Sequence, residues 1–151
     1  MCMIKEIISS RNEDYSFFVH CNCGNEIIQF YYYRPTNIDE EIIGIRYYGY
    51  VKNVKDSRCT SFTFTRETFN NFIESTYNAI YNENTLYGVI QDNNAYLIFN
   101  KDKHGFYTLL KARSKILLLK KQYVWDIMLR KPEVQLLYDR LLKMKEVIWK
   151  C

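Results

Sequence analysis

Short segments in which apolar and polar side chains alternate recur through the first 112 residues, and this alternation constrains the fold more than any other feature. The clearest case is residues 41–51, where two sets of side chains alternate: Ile43, Ile45, Tyr47 and Val51 on one face, and Arg46, Tyr48 and Tyr50 on the other. Successive side chains of a β-strand point to opposite faces of a sheet, so each segment predicts a strand buried on one face. Polar turns separate the segments and predict antiparallel pairing of neighbours.

Two regions show the longer period of helices. Residues 66–82 carry apolar side chains at steps of three and four, after Thr65, whose hydroxyl is suited to an N-cap. Residues 114–150 carry two further helical patterns separated at Pro132, which suits the first turn of a helix and predicts a helical hairpin. The predicted fold class is α+β: an antiparallel sheet of about seven or eight strands, one mid-chain helix and a C-terminal helical hairpin.

Charge is distributed unevenly along the chain. The first hundred residues carry eight Lys and Arg against twelve Asp and Glu, and the remaining residues carry thirteen against five. A chain of 151 residues has the length of one domain, so we expect residues 1–151 to form a single unit. A basic helical hairpin, residues 114–150, then packs on a strand-rich body, residues 1–112. The positive charge of the hairpin either complements the mildly acidic body or forms a surface for a nucleic acid or an acidic protein.

Composition and the absence of a membrane segment indicate the expected compartment. Apolar residues make up 48% of the chain and charged residues 25%, which is typical of globular proteins. No apolar stretch approaches the roughly 20 residues of a membrane span, and residues 1–10 lack the apolar core of a signal peptide. We therefore expect a cytoplasmic protein without membrane contact, whose five cysteines remain thiols.

A zinc site is the first chemical hypothesis, because two cysteines and a histidine adjoin a turn glycine. Cys21 and Cys23 follow His20, and Cys59 is a further candidate ligand. Structural zinc sites usually present C-x2–4-C pairs, whereas this spacing is C-x-C, and neighbouring side chains of a strand point in opposite directions. The spacing favours structural cysteines without a metal, and a zinc-stabilised domain is the alternative.

Catalysis has little support in the sequence. The chain has two histidines, His20 and His104, and no motif pairs either with a nucleophile. Phosphate-binding glycine loops, nucleophile elbows, zinc-protease helices and calcium loops are absent. The adjacent carboxylates at residues 39–41 indicate a solvated strand entrance rather than an acid–base pair. We therefore predict no catalytic residue and no cofactor.

The polar face of residues 41–51 and of the preceding strand is the strongest candidate for binding. The candidate residues, with a basic track beyond them, are Tyr31, Tyr33, Arg46, Tyr48, Tyr50, Lys52, Lys111, Arg113 and Lys115. Aromatic rings flanked by cations bind single-stranded nucleic acids by stacking. Tyrosine and arginine also dominate the binding energy of protein–protein interfaces. A third interpretation is that the tyrosines pack beneath the C-terminal helices.

Size, strand content and the lack of catalytic motifs also carry a resemblance. The chain resembles the small accessory proteins of phages and other mobile elements, which implies a protein that binds and blocks a host protein. We therefore predict a non-catalytic protein-binding domain, an inhibitor or adaptor, acting in the host cytoplasm. The alternative is a single-stranded nucleic-acid-binding module, and the second alternative is the zinc-stabilised domain. A homodimer formed through the apolar helical hairpin is also compatible with the pattern.

Overall fold

Two antiparallel meanders, each followed by one helix, make up the fold in the computed structural model of the chain. The structure describes residues 2–7, 15–21, 26–34, 41–49, 60–82, 88–92, 95–101, 105–112 and 123–150. The first sheet contains five strands in chain order: β1 (Cys2–Ile7), β2 (Tyr15–Cys21), β3 (Glu26–Tyr33), β4 (Ile42–Tyr48) and β5 (Ser61–Phe64). The second sheet contains four strands: β6 (Gly88–Asp92), β7 (Ala95–Lys101), β8 (Tyr107–Ala112) and β9 (Tyr123–Leu129). Two helices complete the fold: α1 (Arg66–Tyr81) between the sheets and α2 (Lys131–Trp149) after the second.

The prediction of one sheet is wrong, although the α+β class and the antiparallel pairing are confirmed. Each strand pairs with the next along the chain until β5, where the chain leaves the first sheet through α1. It then builds a second meander from β6 onward. Alternation indicates that a segment forms a strand and which of its faces is buried, but it does not specify which sheet the strand joins.

The predicted helical hairpin is also wrong, because its first half contains a strand. β9 pairs antiparallel with β8. Trp125, Ile127 and Leu129 are buried in the core and Met128 is exposed, which is the period of a strand. A strand that is buried along most of its length carries apolar residues at nearly every position. Plotted on a helical wheel, such residues lie on all sides, so the sequence is equally compatible with a buried helix. Residues 114–122 of the predicted first helix lie outside the described residues.

The mid-chain helix and the last helix match their predictions. α1 follows Thr65, whose hydroxyl accepts a hydrogen bond from the backbone N–H of Thr68 at 3.1 Å. The Thr68 hydroxyl in turn accepts from the backbone N–H of Thr65 at 2.8 Å, which completes a capping box. α2 carries Pro132 in its first turn, as expected. Neither of these two described helices is long and apolar enough to cross a membrane.

Phe72 of α1 connects the two sheets through the core. Its side chain is 1% exposed, and its ring centroid lies 5.9 Å from that of Phe30 in β3 and 6.2 Å from that of Phe99 in β7. α1 also packs on α2 and on β5, β6 and β7, whereas α2 contacts β1 and β2. α1 therefore packs against both sheets and α2 packs against the first sheet, which holds the two meanders together.

Arg66 joins the start of α1 to the end of α2 and to the entrance of β4. Its Nε and Nη2 donate to the carboxylate oxygens of Glu41 at 2.5 and 3.1 Å, and Nη2 also donates to the carbonyl oxygen of Ile148 at 3.2 Å. Its Cζ lies 5.0 Å from the ring centroid of Trp149. The hydrogen bond to Glu41 raises the pKa of Arg66 further above its ordinary value, so the guanidinium remains charged.

Candidate interaction surfaces

Both helices contribute to the core on one side of the first sheet, and we call the opposite side the outer face. Phe30 and Phe64 contact Phe72 of α1 and therefore point toward the core, away from the outer face. The predicted tyrosines Tyr31 and Tyr48 lie on the outer face, on the side away from α1 and α2 rather than beneath them. The outer face is formed by alternate residues of β2 to β5: Ser16, Phe18, His20, Ile27, Gln29, Tyr31, Tyr33, Ile42, Gly44, Arg46, Tyr48, Ser61 and Thr63.

The ring of Tyr31 fills the space left by the missing side chain of Gly44. The two residues are directly opposite in the pairing of β3 with β4. A β-carbon at position 44 would lie 2.6 Å from Tyr31 Oη and 2.7 Å from its Cζ. Arg46 Cζ lies 4.6 Å from the centroid of the same ring. Glycine therefore lets an aromatic ring lie close to the backbone, where it forms a cation–π contact with the neighbouring arginine.

Arg46, Tyr48 and Gln29 form a chain of hydrogen bonds on the outer face. Arg46 Nη1 donates to Tyr48 Oη at 3.3 Å, and Tyr48 Oη donates to Gln29 Oε1 at 3.2 Å. Gln29 is 5% exposed, whereas Tyr48 is 42% exposed. We call Gln29, Tyr31, Arg46 and Tyr48 the outer-face cluster. Its contacts hold an exposed ring in one orientation, because the hydroxyl of Tyr48 is bonded on both sides.

Apolar side chains border the outer-face cluster. Ile42 is 37% exposed and lies opposite Tyr33, which is half-buried. Phe18 is also half-buried, and its ring centroid lies 6.1 Å from that of His20. Partly exposed apolar side chains around an ordered arginine and tyrosine are typical of a recognition surface.

Only part of the predicted binding set lies on the outer face. The structure places Tyr31, Tyr33, Arg46 and Tyr48 there, but Tyr31 is only 6% exposed, so it supports Arg46 rather than offering its own surface. Lys111 is elsewhere: it is 5% exposed on β8, and its ammonium donates to the carbonyl oxygen of Ser61. The remaining predicted residues lie outside the described residues: Tyr50, Lys52, Arg113 and Lys115. Gln29 and Gly44, which support Tyr48 and Tyr31, were not predicted.

The cysteine hypothesis falls mainly outside the described part of the chain. Cys21 ends β2, but its side chain is not among those described, and neither Cys23 nor Cys59 is. His20 lies on the outer face beside Phe18. Among the residues that the structure describes, no three His, Cys, Asp or Glu side chains form a potential metal site. A zinc site therefore stays a prediction.

The helix pair carries a second aromatic surface, formed by Tyr77 and Tyr81 of α1 and Tyr138 of α2. We call these residues the tyrosine cluster. The ring centroid of Tyr77 lies 4.7 Å from that of Tyr81 and 5.8 Å from that of Tyr138. Tyr77 and Tyr81 are 45% and 66% exposed, and Tyr138 is half-buried. The sequence analysis did not predict this surface, although two tyrosines four residues apart on a helix are a signal that could have indicated it.

Both surfaces are suited to recognition. Within the described residues, three members of the outer-face cluster, Gln29, Arg46 and Tyr48, are joined by hydrogen bonds, and the rings of the tyrosine cluster pack together. Comparison of the sequence with protein-family models and with curated proteins finds no match. Tyrosine rings and an ordered arginine offer apolar area, hydrogen bonds and cation–π contacts, which is the chemistry of binding.

Replacing Gly44 with alanine is expected to lower the free energy of unfolding by about 1–2 kcal/mol, because the new methyl group forces the Tyr31 ring to move. Movement of that ring also breaks its contact with Arg46. Urea denaturation of the purified variant measures the loss.

A Tyr31→Ala background supplies the control for this substitution. Without the ring, alanine at position 44 has room, and a strand interior favours alanine over glycine. The Gly44→Ala change should then be neutral or stabilising, so the double-mutant cycle should show strong coupling. An equal cost in both backgrounds would show that the close approach of Tyr31 to Gly44 is not the cause.

Proposed function

We propose that the chain is a non-catalytic protein-binding domain that recognises its partner through the outer face of the first sheet. The observation that carries the proposal is the outer-face cluster, in which the exposed ring of Tyr48 is held by Arg46 and Gln29. A domain of this kind acts by occupying a surface of another protein, either to block it or to bring it to a third component.

The composition of the cluster and its order both support a protein partner. Tyrosine and arginine are enriched among the residues that dominate interface energies, and here Ile42 and Tyr33 add an apolar border. Ordering a mobile side chain on binding costs roughly 0.5–1.5 kcal/mol. The hydrogen bonds of Tyr48 reduce that cost in advance, because its ring is already oriented in the free protein. Tyr48 is therefore suited to enter a pocket on a partner.

A single-stranded nucleic-acid-binding module is the second candidate. The observation that favours it is the neighbouring position of Arg46 and the exposed Tyr48 on the outer face, an arrangement suited to stacking a base and approaching a phosphate. We rank it second because Arg46 already bonds Tyr48 and contacts the Tyr31 ring, and because Lys111 is buried on another sheet. Neutralising a phosphate backbone normally requires several available cations.

The proposal predicts that Tyr48→Ala reduces partner binding at least about tenfold while leaving the fold intact. Immobilised protein is incubated with a nuclease-treated extract of the cells that naturally produce it, and the retained proteins are quantified by mass spectrometry. Thr63→Ala is the matched control, because Thr63 is also exposed on the outer face, on the neighbouring strand. The wild type and Thr63→Ala should retain the same protein, and Tyr48→Ala should lose it.

Two results would contradict the proposal. If Tyr48→Ala and the wild type retained equal amounts of the partner, the outer face would not be the binding surface. The second result comes from a parallel titration with a labelled single-stranded oligonucleotide. Binding whose affinity falls steeply with salt, and which Tyr48→Ala abolishes, would establish the nucleic-acid module in place of the protein-binding domain.

A further inference from the structure

We propose that the tyrosine cluster of the helix pair is a second binding surface, which receives an arginine side chain from a basic segment of a partner protein. This surface lies on the helices, away from the outer face. Its function does not depend on what the outer face binds.

The first observation is that other aromatic rings of the chain already hold cations of the chain itself. Arg66 and Lys145 lie 5.0 and 5.5 Å from the ring centroid of Trp149, on the same helix pair. Arg46 lies over Tyr31 in the same way. In the described part of the chain, the three rings of the tyrosine cluster receive no such cation. They therefore present the faces of several aromatic rings that a cation can still approach.

The second observation is that the local charge favours a cation over an anion. Burial raises the pKa of the Tyr138 hydroxyl, and the electrostatic effect of Tyr77, Tyr81 and Asp139 raises it further. The Asp139 carboxylate opposes a phenolate at this position, and for the same reason it attracts a positive group. The last turn of α1, which contains Tyr81, has no basic side chain to complement the negative end of the helix dipole.

The charged side chains around the tyrosine cluster also favour a cation. On α1, Glu74 lies one turn before Tyr77, so the nearest charge on that side of the helix is acidic. On α2, Asp139 directly follows Tyr138 and is the charged neighbour that acts on its hydroxyl. Arg140 and Lys143 also follow on α2, but the helical period turns them to the side away from Tyr138, and Lys131 and Lys145 lie two turns from that ring. An incoming cation therefore meets carboxylates beside the rings.

The guanidinium is the cation that this geometry suits best. Its planar group stacks on aromatic faces and donates hydrogen bonds to a carboxylate at its edge. Tyr77 and Tyr81 are tilted by 42° to each other and Tyr77 and Tyr138 by 52°, so the cluster exposes ring faces in more than one direction. A guanidinium stacked on Tyr81 or Tyr77 would also be attracted by the carboxylates of Glu74 and Asp139, which flank the cluster in the sequences of α1 and α2.

The test is a calorimetric titration of the full chain with a blocked tetra-arginine peptide at low ionic strength. Saturable binding is expected, and Tyr77→Leu/Tyr81→Leu should weaken it about tenfold, because leucine keeps apolar area but has no aromatic face. Tyr77→Phe/Tyr81→Phe should keep most of the affinity, since phenylalanine retains the ring. Asp139→Asn should also weaken binding, whereas Tyr48→Leu on the outer face should leave it unchanged.

Three outcomes would overturn this proposal. One is the absence of saturable peptide binding, and another is equal binding by the leucine and phenylalanine pairs. The third is a concentration-dependent dimer, seen by sedimentation and lost in Tyr77→Leu/Tyr81→Leu, because a second copy of the chain would then cover the cluster. Since Tyr77 and Tyr81 are exposed, circular dichroism should show both pairs to be folded.

Discussion

Phe72→Ala should lower the free energy of unfolding by about 3–5 kcal/mol, the largest effect of any single substitution considered for this protein. Phe72 is 1% exposed, and its ring contacts those of Phe30, Phe64 and Phe99. Alanine would leave a cavity between the two sheets, and the surrounding close-packed side chains could fill it only in part. Chemical denaturation followed by circular dichroism measures the change. Domains of this size are typically stable by only about 5–15 kcal/mol, so partial unfolding at room temperature is a realistic result.

Two control variants separate cavity formation from other effects of the substitution. Phe72→Leu should cost less, because the larger side chain refills much of the space. Asn71→Ala alters the neighbouring exposed residue of the same helix and should change stability by no more than about 0.5 kcal/mol. A similar loss in Asn71→Ala and Phe72→Ala would contradict a central role for the Phe72 ring.

Arg66→Ala should lower the free energy of unfolding by about 2–3 kcal/mol, because it removes charge-assisted hydrogen bonds that join two helices and a strand. Arg66 donates to Glu41 and to the carbonyl oxygen of Ile148, and it covers the ring of Trp149. The side chains of Arg66 and Glu41 are 37% and 26% exposed, so solvent screening keeps the loss below the sum of the separate bonds. Denaturation at low and high salt should show a smaller effect at high salt.

Arg66→Lys and Glu41→Gln provide the matched comparison. Lysine keeps the charge but not the two-point contact with the carboxylate, so Arg66→Lys should retain only part of the stability. The Arg66→Ala and Glu41→Gln effects should be non-additive, because each removes the same ion pair. Full additivity would show that Arg66 stabilises the fold through its contacts with α2 rather than through its ion pair with Glu41.

The local elements that match their predictions are those with a clear periodic pattern. α1 has one apolar stripe and an N-cap threonine, so residues next to one another in the chain specify it. Arg46 and Tyr48 were expected on the polar face of a strand beside Tyr31, and they lie there because alternate residues of paired strands share a face. Predictions of this kind depend on backbone geometry within a few residues.

The predictions that were wrong or incomplete depend on contacts between distant segments. β9 was predicted as helix because apolar residues surround most of its helical wheel, whereas its pairing with β8 and the burial of Trp125, Ile127 and Leu129 show a strand. Lysine is usually a surface residue, yet Lys111 is buried, and its ammonium group donates a hydrogen bond to the carbonyl oxygen of Ser61. Gly44 and Gln29 support the outer face through residues on another strand.

The sequence by itself determined the α+β class, the antiparallel neighbours and the two helices, since periodicity and capping act over short distances. The tertiary structure alone decided that the strands divide into two sheets, that α1 packs against both of them and that α2 packs against the first. It also decided that tyrosines of α1 and α2 meet on one surface. These outcomes follow from burial and shape complementarity between segments far apart in the chain, which no local pattern encodes.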